Sequence, residues 1–124
     1  MIEEVKEEES LYRSVKPLPQ YWKGNVVTSA LFKDSKGVSV DRGGRRADES
    51  IVKNFKSAFG ADQVKAIVCL TAKKCFDTEV LVVAKPLDNN QYHAEIHRSA
   101  QEIELTKGQA RALAKACNLV YVKP

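Results

Sequence analysis

Two short runs of the chain, residues 64–70 and residues 80–84, are almost entirely apolar. Strands that are apolar on both faces are usually interior strands of a sheet that is covered on both sides. Both runs are also far shorter than the roughly 20 apolar residues that a membrane-spanning helix needs. The two runs therefore predict the interior of a covered sheet and no association with a membrane.

Further segments have the composition and spacing of strands. Residues 11–15 precede two closely spaced prolines, and residues 92–97 alternate between polar and apolar side chains. Residues 119–122 are the last candidate strand. β-Branched and aromatic side chains favour strands, and a turn sequence between two such runs favours a hairpin. We accordingly predict a hairpin from residues 26–32 and 38–40.

Two other segments have the periodicity of helices. Apolar residues between Asp48 and Gly60 recur at helical spacing, with Asp48 as the candidate N-cap and Gly60 placed to end the helix. Thr106 and Gln109 have the spacing of a capping box. This spacing predicts the start of a second helix at Thr106.

A chain of 124 residues suits one domain of ordinary size. The succession of strands and helices predicts an α+β fold, in which a mixed or antiparallel sheet of about five to seven strands packs with two helices. We expect residues 10–124 to form this single compact domain. Residues 1–9 are expected to form an acidic N-terminal arm.

Charge is unevenly distributed along the chain. The net charge is +4, but residues 1–9 carry five glutamates against one lysine, a balance of −4. The other 115 residues therefore carry +8. Such a surface favours an anionic partner, although basic side chains also serve solubility alone. We further hypothesise that the acidic arm folds back on the basic surface and blocks it.

A basic loop is the first candidate for anion binding, and it consists of Arg42, Gly43, Gly44, Arg45 and Arg46. Glycine lets a backbone approach a phosphate closely, and guanidinium groups grip phosphate oxygens in pairs. The three arginines are therefore predicted to bind phosphate groups.

A second basic patch lies on the second predicted helix. Lys107, Arg111 and Lys115 follow one another at intervals of four, so they share one face of that helix. Together with the loop, this patch predicts a small basic domain that binds a polyanion, and nucleic acid is the polyanion we expect. Its affinity should be largely electrostatic and should fall steeply with salt.

Histidine and glutamate side chains alternate in one predicted strand. His93, Glu95 and His97 are spaced two apart, so they project from the same face of that strand. Imidazole beside carboxylate suits acid–base chemistry, so one alternative function is a phosphodiesterase that uses these residues. The Cα atoms of the two histidines are expected about 13 Å apart, so one metal ion can take Glu95 with only one of them. We therefore predict no metal site, and a plain polar strand face is the other interpretation.

The order of three polar residues suggests a different enzyme class. Arg13, Ser29 and the Glu104 of a Glu-x-Glu sequence resemble the Arg, Ser-Thr-Ser and Glu-x-Glu succession of ADP-ribosyltransferases. The resemblance implies that Arg13 holds the phosphates of NAD and that Ser29 supports the site. It also implies that Glu104 polarises the ribose and stabilises an oxocarbenium-like transition state.

A third function class is a subunit that binds another protein through Tyr21 and Trp22 or through the acidic arm. The acidic N-terminus lacks the basic start and the apolar core of a secretory signal, which predicts a cytoplasmic protein. Three cysteines without a C-x-x-C pair are ordinary in that compartment. No cofactor is expected, because the chain carries no cofactor-binding motif.

Overall fold

Eight strands and three α-helices are present in the computed structural model, which describes residues 4–124. Residues 1–3, which belong to the acidic arm, lie outside the described residues. The helices are α1 (Asp48–Phe59), α2 (Ala72–Asp77) and α3 (Lys107–Ala116). The strands are β1 (Ser10–Val15), β2 (Trp22–Lys23), β3 (Val26–Val27), β4 (Val38–Arg42), β5 (Ala66–Thr71), β6 (Leu81–Ala84), β7 (His93–His97) and β8 (Asn118–Val122). Short 3-10 helices span Pro19–Tyr21, Ser29–Phe32 and Ala61–Gln63.

Six of the strands form one antiparallel sheet in the order β6-β7-β4-β1-β5-β8, and β2 pairs with β3 in a separate two-stranded sheet. This arrangement confirms the predicted α+β fold in a single domain. β5 is an interior strand with core on both faces, as residues 64–70 predict. Within residues 4–124, no helix is long and apolar enough to cross a membrane.

Alternation along the strands divides the core into two clusters. Leu11 and Val15 of β1 are fully buried in the larger cluster, together with Leu113 of α3. Tyr12 of β1 lies in the smaller cluster with Phe55 of α1. Neighbouring residues of a strand point to opposite faces of the sheet. α1 therefore packs on one face, and α3 packs on the other.

The two ends of α1 differ in how well they follow the sequence prediction. Gly60 ends α1 with φ of 89°, and its N–H donates to the carbonyl of Lys56 at 2.9 Å, so that prediction is confirmed. The prediction of Asp48 as N-cap is wrong, because Ala47 holds that position. The Asp48 carboxylate instead accepts a hydrogen bond of 2.9 Å from the hydroxyl of Tyr12. A long-range contact to β1 thus replaces the local cap.

α3 begins at the predicted capping box. The Thr106 hydroxyl accepts a hydrogen bond from the N–H of Gln109 at 3.1 Å, and the Gln109 side chain accepts one from the N–H of Thr106 at 2.9 Å. Ala110 and Leu113 are fully buried against the larger cluster. The helix is therefore anchored by its inner face and its first turn.

Residues 26–32 do not form the predicted strand, and the predicted hairpin is wrong. Only β3 is extended, and the 3-10 helix Ser29–Phe32 follows it. β4 pairs with β1 and β7 instead. Leu31 and Phe32 are adjacent and both are buried. A strand would point one of them away from the core, whereas a helical turn lets both face it.

The apolar run at residues 80–84 is not the interior strand that its composition predicts. It contains β6, which lies at an edge of the sheet and leaves Leu81 42% exposed. Val80 and Ala84 are buried in the larger cluster, which accounts for part of the apolar composition. Composition therefore identified the strand but not its place in the sheet.

A short helix, α2, joins β5 to β6 and is absent from the sequence prediction. Its first N–H groups, those of Ala72 and Lys73, donate to the carbonyls of Glu9 and Glu7 in the acidic arm. This part of the arm is therefore fixed to the domain. On the inner side of α2, burial raises the pKa of the Cys75 thiol to about 12, so that thiol stays protonated.

Candidate functional sites

A groove opens where β1 and β4 separate, and its lining includes residues from both faces of the sheet. β1 pairs with β5 along all six of its residues but with β4 at only two, Leu11 with Arg42 and Tyr12 with Asp41. Beyond those pairs the groove, about 1090 Å³ in volume, lies between α1, the two strands, the loop at residues 87–92 and the segment that contains Tyr21, Leu31 and Asp34. Local sequence patterns do not predict the groove, because it arises from the pairing of strands that are far apart in the chain.

The groove has a mixed lining, in which uncharged polar side chains form a large part. One wall is apolar and is formed by Phe55, Ala58 and Phe59 of α1. The hydroxyl and amide side chains of the lining are those of Ser14, Ser39, Asn54, Ser57, Gln63, Asn89, Asn90 and Gln91. A mixed lining of this kind suits a ligand that has both an apolar part and several hydrogen-bonding groups.

Arg13 lies where β1 and β4 separate and holds that region together. Its Nε donates to the carbonyl of Leu31 at 2.9 Å, and its Nη1 donates to the carbonyl of Ser39 at 2.7 Å. Burial lowers the pKa of Arg13, while Asp34 and Tyr21 act in the opposite direction. Within residues 4–124, no carboxylate oxygen lies within 4.0 Å of this guanidinium. Arg13 is therefore a fixed cation in the groove.

Asp41 is the one buried charged residue of the part that the structure describes, at 8% exposure. The side-chain amide of Asn90 donates to its carboxylate at 2.9 Å, and a guanidinium nitrogen of Arg46 lies 4.0 Å from it. Arg46 in turn stacks on the ring of Tyr92, 3.6 Å from the ring centre. This network joins the basic loop to the loop at residues 87–92 and so shapes one end of the groove.

His93 lines the same end of the groove and lies opposite Asp41 in the register of β4 and β7. Its Nδ1 is 2.9 Å from the carbonyl oxygen of Lys85. A carbonyl oxygen only accepts hydrogen bonds, so Nδ1 carries the hydrogen. In the tautomer with the hydrogen on Nδ1, Nε2 carries a lone pair and can accept a hydrogen bond.

Glu95 and His97 share the strand face of His93, as the alternation predicts, but they pair with each other. The Nε2 of His97 donates to the Glu95 carboxylate at 2.8 Å, and Lys85 lies 3.4 Å from the same oxygen. Burial would raise the pKa of Glu95, but these two partners outweigh it and lower the pKa. Residues 4–124 contain no group of three or more histidine, cysteine or acidic residues placed to hold a metal ion.

The arginines of the basic loop are largely engaged in local contacts. Arg42 makes a bidentate pair with Glu9, at 2.7 and 2.9 Å. Arg46 donates to the carbonyls of Gly43 and Arg42 at 3.0 and 2.8 Å. The hydrogen bond from Arg42 lowers the pKa of Glu9 despite the opposing effect of burial. Arg45 is the exposed arginine of this loop.

The second basic patch differs from the basic loop in the exposure of its cations. Lys107, Arg111 and Lys115 are exposed on α3, and none makes an ion pair with another residue in the described part of the chain. The basic loop leads directly into α1, which packs on the opposite face of the sheet from α3. The structure therefore presents two separate basic surfaces rather than one.

The residues that resemble ADP-ribosyltransferases do not share the groove. Arg13 lines it, whereas neither Ser29 nor Glu104 is part of its lining. Ser29 begins the 3-10 helix Ser29–Phe32. Glu104 makes an ion pair of 2.8 Å with Lys33. The implied NAD site therefore stays a prediction without a common cavity for its three residues.

One groove residue, Asp41, has an unusual position in the sequence. Asp41 is an acid at the end of an alternating strand and next to the basic loop, which is an unusual place for a charge to be buried. Asn90 belongs to the sequence Asp88-Asn89-Asn90, which is typical of a turn and does not indicate the contact with Asp41. Comparison with family models, curated proteins and solved structures finds no match to this chain.

Proposed function

We propose that the protein binds a polyanion, namely nucleic acid, through the exposed face of α3. One observation carries the proposal: Lys107, Arg111 and Lys115 are exposed at one-turn intervals, and no acidic residue of the described chain neutralises them. A solvated basic face that serves only solubility is the competing explanation, and it predicts no saturable binding.

The geometry of α3 suits a phosphate backbone. At about 1.5 Å per residue, the three cations span roughly 12 Å along the helix axis. The capping box and the buried Leu113 hold the helix in place, so the backbone positions of the three cations are fixed without a partner. α2 packs beside α3 and carries the exposed Lys74.

The basic loop contributes less than its sequence predicts. Arg42 and Arg46 already hold Glu9 and two backbone carbonyls. Breaking those contacts to bind phosphate has a cost in free energy, because it leaves buried acceptors without donors. We therefore assign the loop a structural role and assign binding of nucleic-acid phosphates to α3 alone.

The test is fluorescence anisotropy with labelled single-stranded and duplex oligonucleotides at several salt concentrations. The variant K107A/R111A/K115A removes the proposed surface. The variant K23A/K36A/K53A is the matched control, because it removes three exposed lysines from other parts of the surface. If the three cations neutralise three duplex phosphates, the slope of log K against log salt should become less negative by about 2.7 in the α3 variant.

The control should keep the slope and nearly all of the affinity of the unmodified protein. Equal losses in the two triple variants would show that net charge, not the α3 surface, governs binding. Failure of the unmodified protein to bind at low salt would overturn the proposal outright.

A further inference from the structure

We propose that the groove is a second and separate binding site that takes a nucleoside monophosphate, with its phosphate at Arg13 and its base against Phe59. Arg13 and Phe59 line one continuous groove, which runs from the gap between β1 and β4 to the last turn of α1 and does not include the exposed residues of α3. The inference does not depend on binding of nucleic acid by α3.

The anionic end of the ligand is assigned from Arg13. Its Nε and Nη1 are held by the carbonyls of Leu31 and Ser39, which fix the plane of the guanidinium. Within the described residues, Nη2 makes no hydrogen bond, and a phosphate oxygen is the strongest acceptor for it. Lys16 also lines the groove and is exposed.

The aromatic part of the ligand is assigned from the α1 wall. Phe59 is 55% exposed, although phenylalanine is usually buried. Its ring lies nearly parallel to that of Phe55, with 6.0 Å between the centres and 18° between the planes. Every nucleic-acid base has a flat π-face, so an aromatic side chain can stack on any of the bases. Asn54 and Gln63 on the same side offer amide groups that match the donors and acceptors on the edge of a base.

The charge of the groove is compatible with this ligand. Its cations are Arg13, Lys16 and Arg46, and its acids are Asp34 and Asp41. The Asp41 carboxylate is already held by an amide and lies close to Arg46, so it does not repel an anion as a solitary carboxylate does. The groove therefore keeps a positive balance around the proposed phosphate position.

The groove also offers an acceptor for the sugar. The free Nε2 of His93 can accept a hydrogen bond from a ribose hydroxyl, and Ser39 in the neighbouring strand can donate or accept one. A volume of about 1090 Å³ is ample for a ligand of this size, since small-molecule pockets usually fall between about 300 and 1,000 Å³.

The test combines calorimetry with NMR of the isotope-labelled full chain, using AMP and UMP as probes. We expect saturable binding of at least one of them, with amide shifts in β4, in the last turns of α1 and at residues 87–93. Adenosine should bind about tenfold more weakly or worse than AMP, because it lacks the charge-assisted hydrogen bonds to Arg13. Inorganic phosphate should also bind more weakly than AMP, because it lacks the base.

Steric blocking gives an independent test. Ala58 lines the groove and is exposed, so Ala58→Trp fills the groove without removing a contact. Lys53→Trp places the same side chain on the same helix outside the groove. The A58W variant should lose AMP affinity by about tenfold or more, whereas K53W should keep it, and both should bind oligonucleotides like the unmodified protein.

Three outcomes would overturn this inference: no saturation by either nucleotide, equal affinity in A58W and K53W, or inorganic phosphate that binds as tightly as AMP. Amide shifts confined to α3 would also overturn it. Because A58W leaves α3 untouched, loss of the groove site and loss of the α3 surface give different patterns.

Discussion

The basic loop and α3 carry similar numbers of cations, yet the structure uses them in opposite ways. In the loop, Arg42 binds the carboxylate of Glu9 and Arg46 binds two backbone carbonyls. Both guanidinium groups therefore stabilise local structure. In α3, Lys107, Arg111 and Lys115 are exposed and make no ion pair with another described residue. A count of basic residues therefore overstates the charge that a loop can offer to a ligand.

The largest expected effect is on stability, from Arg46→Ala. The change removes two hydrogen bonds and the stacking on Tyr92, and it takes away the cation nearest the buried Asp41. The free energy of unfolding in urea should fall by about 2–4 kcal/mol. Arg111→Ala in α3 should change it by less than about 0.5 kcal/mol, as surface changes usually do. Similar losses of unfolding free energy in the two variants would contradict the view that the loop arginine stabilises the fold and the α3 arginine does not.

A smaller and pH-dependent effect is expected from Glu9→Gln. The bidentate pair with Arg42 lowers the pKa of Glu9 below its ordinary value of 4.5, so its stabilisation is present above that value. It is lost as the pH falls through the lowered pKa. Near pH 7 the variant should be less stable by about 1–2 kcal/mol. A difference that stays constant down to acid pH would show that the pair does not stabilise the fold.

The smallest expected effect on stability concerns the start of α3. Thr106→Ala removes the side chain that accepts the N–H of Gln109 and should lower the free energy of unfolding by about 1 kcal/mol. Thr106→Ser keeps the acceptor and should restore most of it. Equal stability of the alanine and serine variants would mean that the capping box does not anchor the helix.

Features that depend on neighbouring residues were predictable from the sequence. Gly60 ends α1 and Thr106 starts α3 because caps are local hydrogen bonds between residues a few positions apart. The alternation of His93, Glu95 and His97 likewise placed them correctly on one strand face. These patterns predicted the α+β class and most of the elements.

Features that depend on long-range pairing were not predictable in this way. Asp48 was expected to cap its own helix but accepts a hydrogen bond from Tyr12 in β1. The predicted hairpin is wrong because β4 lies between β1 and β7, and no local sequence pattern specifies that pairing. The groove has the same origin, since it exists only where β1 and β4 separate.

The candidate sites were also only partly predictable from local sequence patterns. Periodicity placed Lys107, Arg111 and Lys115 on one face, and the structure leaves them exposed. Composition treated Arg42 and Arg46 as equally available, although their partners are a glutamate in the arm and carbonyls of the loop itself. The availability of a charged group thus depends on contacts that the sequence does not display.

The most direct test of this contrast is the salt dependence of oligonucleotide binding in two single-arginine variants, Arg111→Ala and Arg45→Ala. Both remove one exposed guanidinium, so their net charges are equal. We predict that the slope of log K against log salt for duplex DNA becomes less negative by about 0.9 in the Arg111 variant and stays unchanged in the Arg45 variant. An unchanged slope in the Arg111 variant together with a changed slope in the Arg45 variant would contradict the account.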